Sequence, residues 1–192
     1  TLKYPGLYRP SSYPYISGDG FRKLADHIFD ETGTLNPNKV KTGQIVFIKT
    51  ELKEIYFKHY HKSIKYPYYL ISHNSDESVE EKDLELIDDK IIHWFAMKLN
   101  IPSTSKISPL PAGLENARFR NNGKISNFQA AFKNKIIKTN KILSSFNPNT
   151  NFKERNPLIN IAKKHTDIDI LHFEDRLEYL KQLSTFEFNL CP

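Results

Sequence analysis

Short apolar runs of strand type recur along the chain with helical patterns between them, and this alternation restricts the fold more than any other feature. Residues 44–49 (QIVFIK) and 68–72 (YYLIS) are strand-like, and 51–61 between them carries helical spacing. That order is a β-α-β unit. Residues 91–99 (IIHWFAMKL) and 106–110 (KISPL) continue the same sheet. Upstream, 21–31 (FRKLADHIFDE) places Phe21, Leu24, Ala25 and Ile28 on one stripe of a helix. A leader, 4–15, rich in Pro and Tyr, precedes it and favours an extended path.

A polar, glycine-containing break follows at 117–124 (ARFRNNGK), and 126–138 reads as a connecting helix. The alternation then restarts, with strands at 141–146, 168–173 and 186–190 and helices at 157–165 and 174–183. Strands alternating with helices imply parallel sheets with right-handed crossovers. The expected fold class is therefore α/β, with Rossmann-like parallel sheets and flanking helices in two parts, 1–124 and 125–192.

The chain has 192 residues, 39% of them hydrophobic, enough to bury a core. No apolar run approaches the roughly 20 residues that span a bilayer, and the start lacks a signal-peptide pattern. With one cysteine, Cys191, an internal disulfide and a cysteine zinc cage are both excluded, and a cytoplasmic location is expected. A net charge of +6 favours phosphate-bearing partners. The lysines are scattered among Asp and Glu, however, so no nucleic-acid partner is expected. Neither GxxxxGK[ST], GxGxxG nor GxSxG occurs. Asp167 and Asp169 form a DxD that precedes a strand rather than following one. His59 and His61 are two apart on a helical stretch, hence on different faces and expected at the surface. No metal is expected.

In open parallel sheets, ligands bind outside the carboxyl ends of the strands. The strand 68–72 runs abruptly into His73, Asn74, Ser75 and Asp76 at such an end. So do 106–110 into 111–116 (PAGLEN) and 141–146 into 147–155 (NPNTNFKER). Three polar loops are thus expected to share one rim. Each has a plainer reading as well, the third because Asn147, Asn149 and Asn151 are what any turn contains. Asn74 and Asp76 can form Asx-type turns, Gly113 can supply a positive φ, and Glu115 can be a solvated loop carboxylate. Asp19 can cap the helix it opens, and Trp94 and Phe95 can be core rather than a sugar-stacking surface.

Taken in order, YPYISGDGFRKLADHIFDE (13–31), YLISHNSDESV (69–79), IIHWFAMKLN, ISPLPAGLEN, SSFNPNTNFKER and EYLKQLSTFEFNLCP resemble exostosin-like glycosyltransferases of bacteria and large DNA viruses. The resemblance covers nearly the whole chain. It implies a GT-B-like architecture of two Rossmann-like halves, the first on the acceptor side and the second holding a nucleotide sugar. The implied reaction moves a sugar from a nucleotide diphosphate sugar to a glycan hydroxyl, with that donor as co-substrate and no further cofactor. Glu115, then Asp76, then His73 are the candidate bases. Asn74, Asn116, Asp19 and Arg22 are candidates for substrate binding, and Asn147, Thr150, Asn151 and Arg155 for the nucleotide phosphates. In that family the strand resembling FEFNLCP runs on into a glycine loop and a helix bearing Arg and Glu. Here the sequence stops at Pro192, so the second half is expected to be incomplete. A non-catalytic α/β module that binds a glycan or a partner is the alternative.

Overall fold

The computed structural model describes residues 8–33, 35–120, 122–133 and 136–191. The chain forms two compact units, Thr1–Gly123 and Lys124–Pro192. Each is α/β and built on a parallel sheet.

Among its described residues the first unit has a five-stranded sheet in sequence order, β1 (His27–Phe29), β2 (Ile45–Lys49), β3 (Tyr68–His73), β4 (Ile91–Met97) and β5 (Ile107–Leu110). Register aligns Val46, Leu70, Trp94 and Ile107 across the sheet, so these side chains share one face. All four are fully buried, under Tyr56, Phe57, Ile64 and Val79 from the connections. An unbroken strand order with right-handed crossovers sends every connection over that same face. The opposite face receives α1 (Gly18–Lys23), which precedes β1 and sets Phe21 against His73 at a ring separation of 5.5 Å. Farther from the carboxyl end, Ile45, Tyr69 and Phe95 stay half-buried on that face.

The helix expected over 21–31 is a correction. Helix α1 stops at Lys23, and His27–Phe29 forms strand β1 on the edge of β2. Asp26 makes the junction: its amide donates to Ile45 O at 2.9 Å, and its carboxylate accepts from Ile45 N at 2.8 Å. Pairing with β2 buries Phe29, whereas Leu24, on the expected helical stripe, is 64% exposed. Tertiary pairing overrides a local period here.

Residues 51–61 are helical but irregular. A 3₁₀ turn (Thr50–Leu52) leads into a single α turn, α2 (Lys53–Ile55), then a π turn (Tyr56–Tyr60) and a 3₁₀ turn (His61–Ser63). In a regular helix Tyr56 and His61, five apart, would point about 140° from one another. The wider turn lets both reach Tyr68, and His61 is consequently buried, not at the surface as its position suggested; His59 is exposed. The ionised Asp88 can only accept, which fixes the direction of the chain of bonds. His61 Nε2 donates to Asp88 (3.1 Å), Tyr68 Oη donates to His61 Nδ1 (2.7 Å), and Tyr56 Oη donates to Tyr68 Oη (2.6 Å). Burial raises the Tyr56 phenol well above its ordinary value. For Asp88, burial acts upward but is outweighed by the Lys90 amide and His61, which hold it below the carboxylate norm.

In the second unit, β6 (Thr139–Ser144) lies between β7 (Ile168–Ile170) and β8 (Phe186–Leu190). Helices α3 (Ile125–Ala131) and α5 (Arg176–Thr185) pack together. The helix expected at 157–165 starts earlier. Helix α4 spans Phe152–Ala162 and keeps Pro157 inside it, so the proline does not open the helix. Residues 134 and 135 of the expected helix 126–138, and 4–7 of the leader, lie outside the described residues. Among the described residues no helix is long and apolar enough to cross a membrane.

Burial holds the His61 imidazole below its ordinary value of 6.5. The unfolded chain therefore takes up this proton first as pH falls, so stability is complete above about pH 6.5 and declines below it. Denaturant midpoints should drop between about pH 7.5 and about pH 5.5. A His61→Gln variant, less stable at the upper pH, should show a shallower drop; an equally steep one would remove His61 from the effect.

Candidate functional site: a cleft at the carboxyl end of the five-stranded sheet

The carboxyl ends of β2, β3, β4 and β5 surround one cavity of about 470 Å³. Lys49 and Glu51 come from the end of β2, His73 to Asp76 from β3, Met97 and Lys98 from β4, and 112–116 with Arg118 and Phe119 from the loop after β5. Two residues take positive φ to turn the chain at this rim, Asn74 (60°) and Lys98 (52°). Gly113 (69°) does so too, and it also lets the loop after β5 pass close to the leader. A Cβ there would lie 2.3 Å from Ile16 O, and the gap is closed instead by Leu114 N donating to Ile16 O at 2.8 Å.

Asp19, Asn74 and Asn116 bind one another in a closed ring. The Asp19 amide donates to Asn116 Oδ1 (2.7 Å), Asn116 Nδ2 to Asn74 Oδ1 (2.9 Å), and Asn74 Nδ2 to Asp19 Oδ1 (3.1 Å). These bonds join segments that are far apart in sequence. The Asx-turn reading of Asn74 therefore does not describe it: its side chain crosses to two other elements. Nor does Asp19 cap α1, because Ser17 Oγ accepts from Gly20 N at 3.2 Å in that role. After these bonds each Asn amide keeps one N–H and one lone pair. Asn74, half-buried on the cavity wall, is the one able to offer them.

Behind the ring lies a buried charge network. Arg9 pairs with Asp19, with Asp30 (3.2 Å) and with Glu31 (2.8 Å). Arg118 reaches Asp19 at 3.4 Å and Glu31 at 3.0 Å, and stacks on Phe119 at 4.6 Å. Arg22, expected at a substrate, is instead bound to Asp30 (2.6 Å) and Thr32 (2.9 Å) and does not line the cavity. For Asp30, burial acts upward, but the Arg22 bond and the Thr32 amide and hydroxyl leave its carboxyl below the ordinary value.

The three candidate bases differ. His73 is 2% exposed, and both of its nitrogens are engaged: Nε2 donates to Pro111 O (3.1 Å) and Nδ1 accepts from Asn74 N (2.8 Å). It has no lone pair left for an incoming hydroxyl. Asp76 is fully exposed and meets Lys98 Nζ at 2.9 Å. Glu115 is half-buried and accepts the Asn122 amide through Oε2 at 2.7 Å, with further lone pairs remaining. Trp94 is fully buried and donates to Ser72 Oγ at 2.9 Å, so it is core.

Asn147, Thr150, Asn151 and Arg155 belong to the second unit. Asn147 caps the turn Pro148–Asn151 by accepting from Asn149 N (2.9 Å). Arg155, on the first turns of α4, bonds Thr150 Oγ1 and Asn147 O and lies over Phe146 at 5.8 Å. The start of α4 has no side-chain cap. Asn151 is turned to Glu154 instead, at 2.6 Å. Asp169 pairs with Lys141 at 2.7 Å, and among the described residues no group of three or more His, Cys, Asp or Glu could hold a metal.

Sequence reasoning missed Lys49, Lys98, Arg9 and Arg118. The local signal around Arg118 is only that of a polar break, and around Arg9 only the Pro and Tyr content of the leader. Gly18 is a further residue of this kind, and its role is steric. A Cβ there would come within 1.8 Å of Asn74 Oδ1 and 2.4 Å of His73 Nδ1. Gly18→Ala should therefore cost about 1–3 kcal/mol of stability. Gly20→Ala, in the same helix with nothing nearer than Ser17 Oγ at 3.6 Å, should gain about 0.5–1 kcal/mol. Denaturant unfolding of both variants tests this, and effects of the same sign would refute it. No protein-family model matches the chain, and no curated protein matches it.

Proposed function

We propose that the protein is a nucleotide-sugar glycosyltransferase, or the part of one that carries the acceptor cleft. The observation that carries this reading is the charge balance of the cavity. Lys49, Lys98 and Arg118 face Glu51, Asp76 and Glu115, and the cations are already paired with carboxylates. Such a wall offers alternating donors and acceptors with little net field, which suits vicinal hydroxyls better than a diphosphate. The acceptor glycan therefore belongs to the first unit. In the second unit, the Arg155 fork beside the uncapped start of α4 suits the donor's phosphates.

In an inverting transfer, a carboxylate takes the proton of the acceptor hydroxyl as its oxygen bonds the anomeric carbon. The bond to the donor phosphate breaks, and the nucleoside diphosphate leaves with the electron pair. Glu115 is the first candidate base and Asp76 the second; the engaged His73 positions Asn74 instead. The donor is the co-substrate, and the exposed thiol of Cys191 accords with a reducing, cytoplasmic setting. A second reading, a glycan-binding module without turnover, draws support from the Asn122 amide that already occupies Glu115.

A screen of nucleoside diphosphates, their sugars and neutral oligosaccharides tests both readings. Glu115→Gln should cut transfer by about 10²–10⁴-fold with fold and donor binding retained; unchanged turnover removes Glu115 from the role. Arg155→Ala should weaken nucleoside diphosphate binding about tenfold. Oligosaccharide binding with no donor consumed favours the module.

A further inference from the structure

We propose that His73 is a proton-operated latch between the two principal loops of the cleft, joined while its ring is neutral and released when it is protonated. The inference rests on the reading above only for what the cleft binds; the latch itself follows from geometry.

The ring spans the gap between the loop after β3 and the loop after β5. Pro111 O accepts from Nε2–H at 3.1 Å, and the Asn74 amide donates to Nδ1 at 2.8 Å. The first bond survives protonation. The second does not, because an imidazolium carries hydrogen on both nitrogens: Nδ1–H then faces the Asn74 N–H and turns to the Asn74 side chain, which favours the protonated ring, so the backbone amide loses its acceptor. Space does not relieve the clash: α1 begins at Gly18, where even a methyl group would fall 2.4 Å from Nδ1. Asn74 is also the middle member of the ring with Asp19 and Asn116, so displacing its backbone disturbs the wall on both sides.

Charged and titratable groups approach this ring from every neighbouring element. Asp19 does so from α1, with Arg9 and Arg118 behind it. Lys49 is the register partner of His73 on β2, followed by Glu51. Thr50, between them, donates to His73 O at 3.5 Å. Glu115 lies on the loop after β5, and Asp76 and Lys98 on the loops after β3 and β4. Burial is the largest influence on the imidazole and holds it below 6.5, while Pro111 O, Asn74 and Asp19 act upward. Release therefore occurs on the acid side of neutrality. The sign is that of a group neutral in the folded state, with the closed latch favoured above pH 6.5 and progressively lost below it. His61 is a separate buried imidazole, bonded to Tyr68 and Asp88 rather than to the cleft loops.

The test is backbone hydrogen exchange and nitrogen-15 NMR of the whole chain at about pH 7.5 and about pH 5.5, read as protection factors. Protection of the Asn74 amide should fall about tenfold at the lower pH, with amides 112–116 following and Leu70 unchanged. In His73→Asn, whose Oδ1 can accept the Asn74 N–H without titrating, that fall should vanish. Equal Asn74 protection at both pH values in the parent chain, or an equal fall in the variant, overturns the latch. If the variant does not fold, the parent decides alone: the Asn74 nitrogen shift must move with the same midpoint as His73 Nδ1, and independent midpoints refute the proposal. No ligand enters this experiment, so its failure speaks to the latch and leaves the sugar reading to its own screen.

Discussion

The cleft depends on one buried hydrogen-bonded ring, Asp19 to Asn74 to Asn116, which ties the start of α1 to the loops after β3 and β5. None of these residues has a local reason to meet the others. What holds them is the compensation of Asp19, a carboxylate that would be costly to bury alone and is flanked by Arg9 and Arg118. The guanidinium groups reach on to Asp30 and Glu31, so the leader, α1, the end of β1 and the loop after β5 form one electrostatic body. The cavity wall is the solvent-facing side of that body.

This arrangement explains the division of labour at the rim. Residues behind the wall, such as Arg22 with Asp30 and Arg9 with Asp19, are paired with one another and serve position. Those at the mouth, Asp76, Lys98 and Glu115, keep unused acceptors or donors and are the ones able to meet a ligand. A polar residue at a strand's carboxyl end is thus not by itself a binding residue. Its remaining valences decide.

The strands that lie within the sheet could be read from the chain because their apolar runs are long and bounded, as in 45–49 and 68–73. Strand β1 could not, since Ile28 and Phe29 also satisfy a helical period and only the edge of β2 resolves the choice. The π turn was equally hidden, because it answers a need of Tyr68, outside the helical stretch. At the cleft, the abrupt change from YYLIS to HNSD did mark the rim. The cations behind it left no mark, because Arg9 and Arg118 find their partners across loops and strands rather than at any fixed spacing. Charge compensation of this kind is a property of the folded chain, not of a window of sequence.

Trp94 is the chain's one tryptophan, and it sits in the first unit, fully buried and bonded to Ser72 one residue before the cleft begins. Its indole is therefore an optical probe supplied by the protein itself. Emission selected at the red edge of excitation reports the interior of the five-stranded half and is silent about the three-stranded one, whose light comes from Tyr179 alone. The melting of the five-stranded half can therefore be followed by itself in a single cuvette without any label.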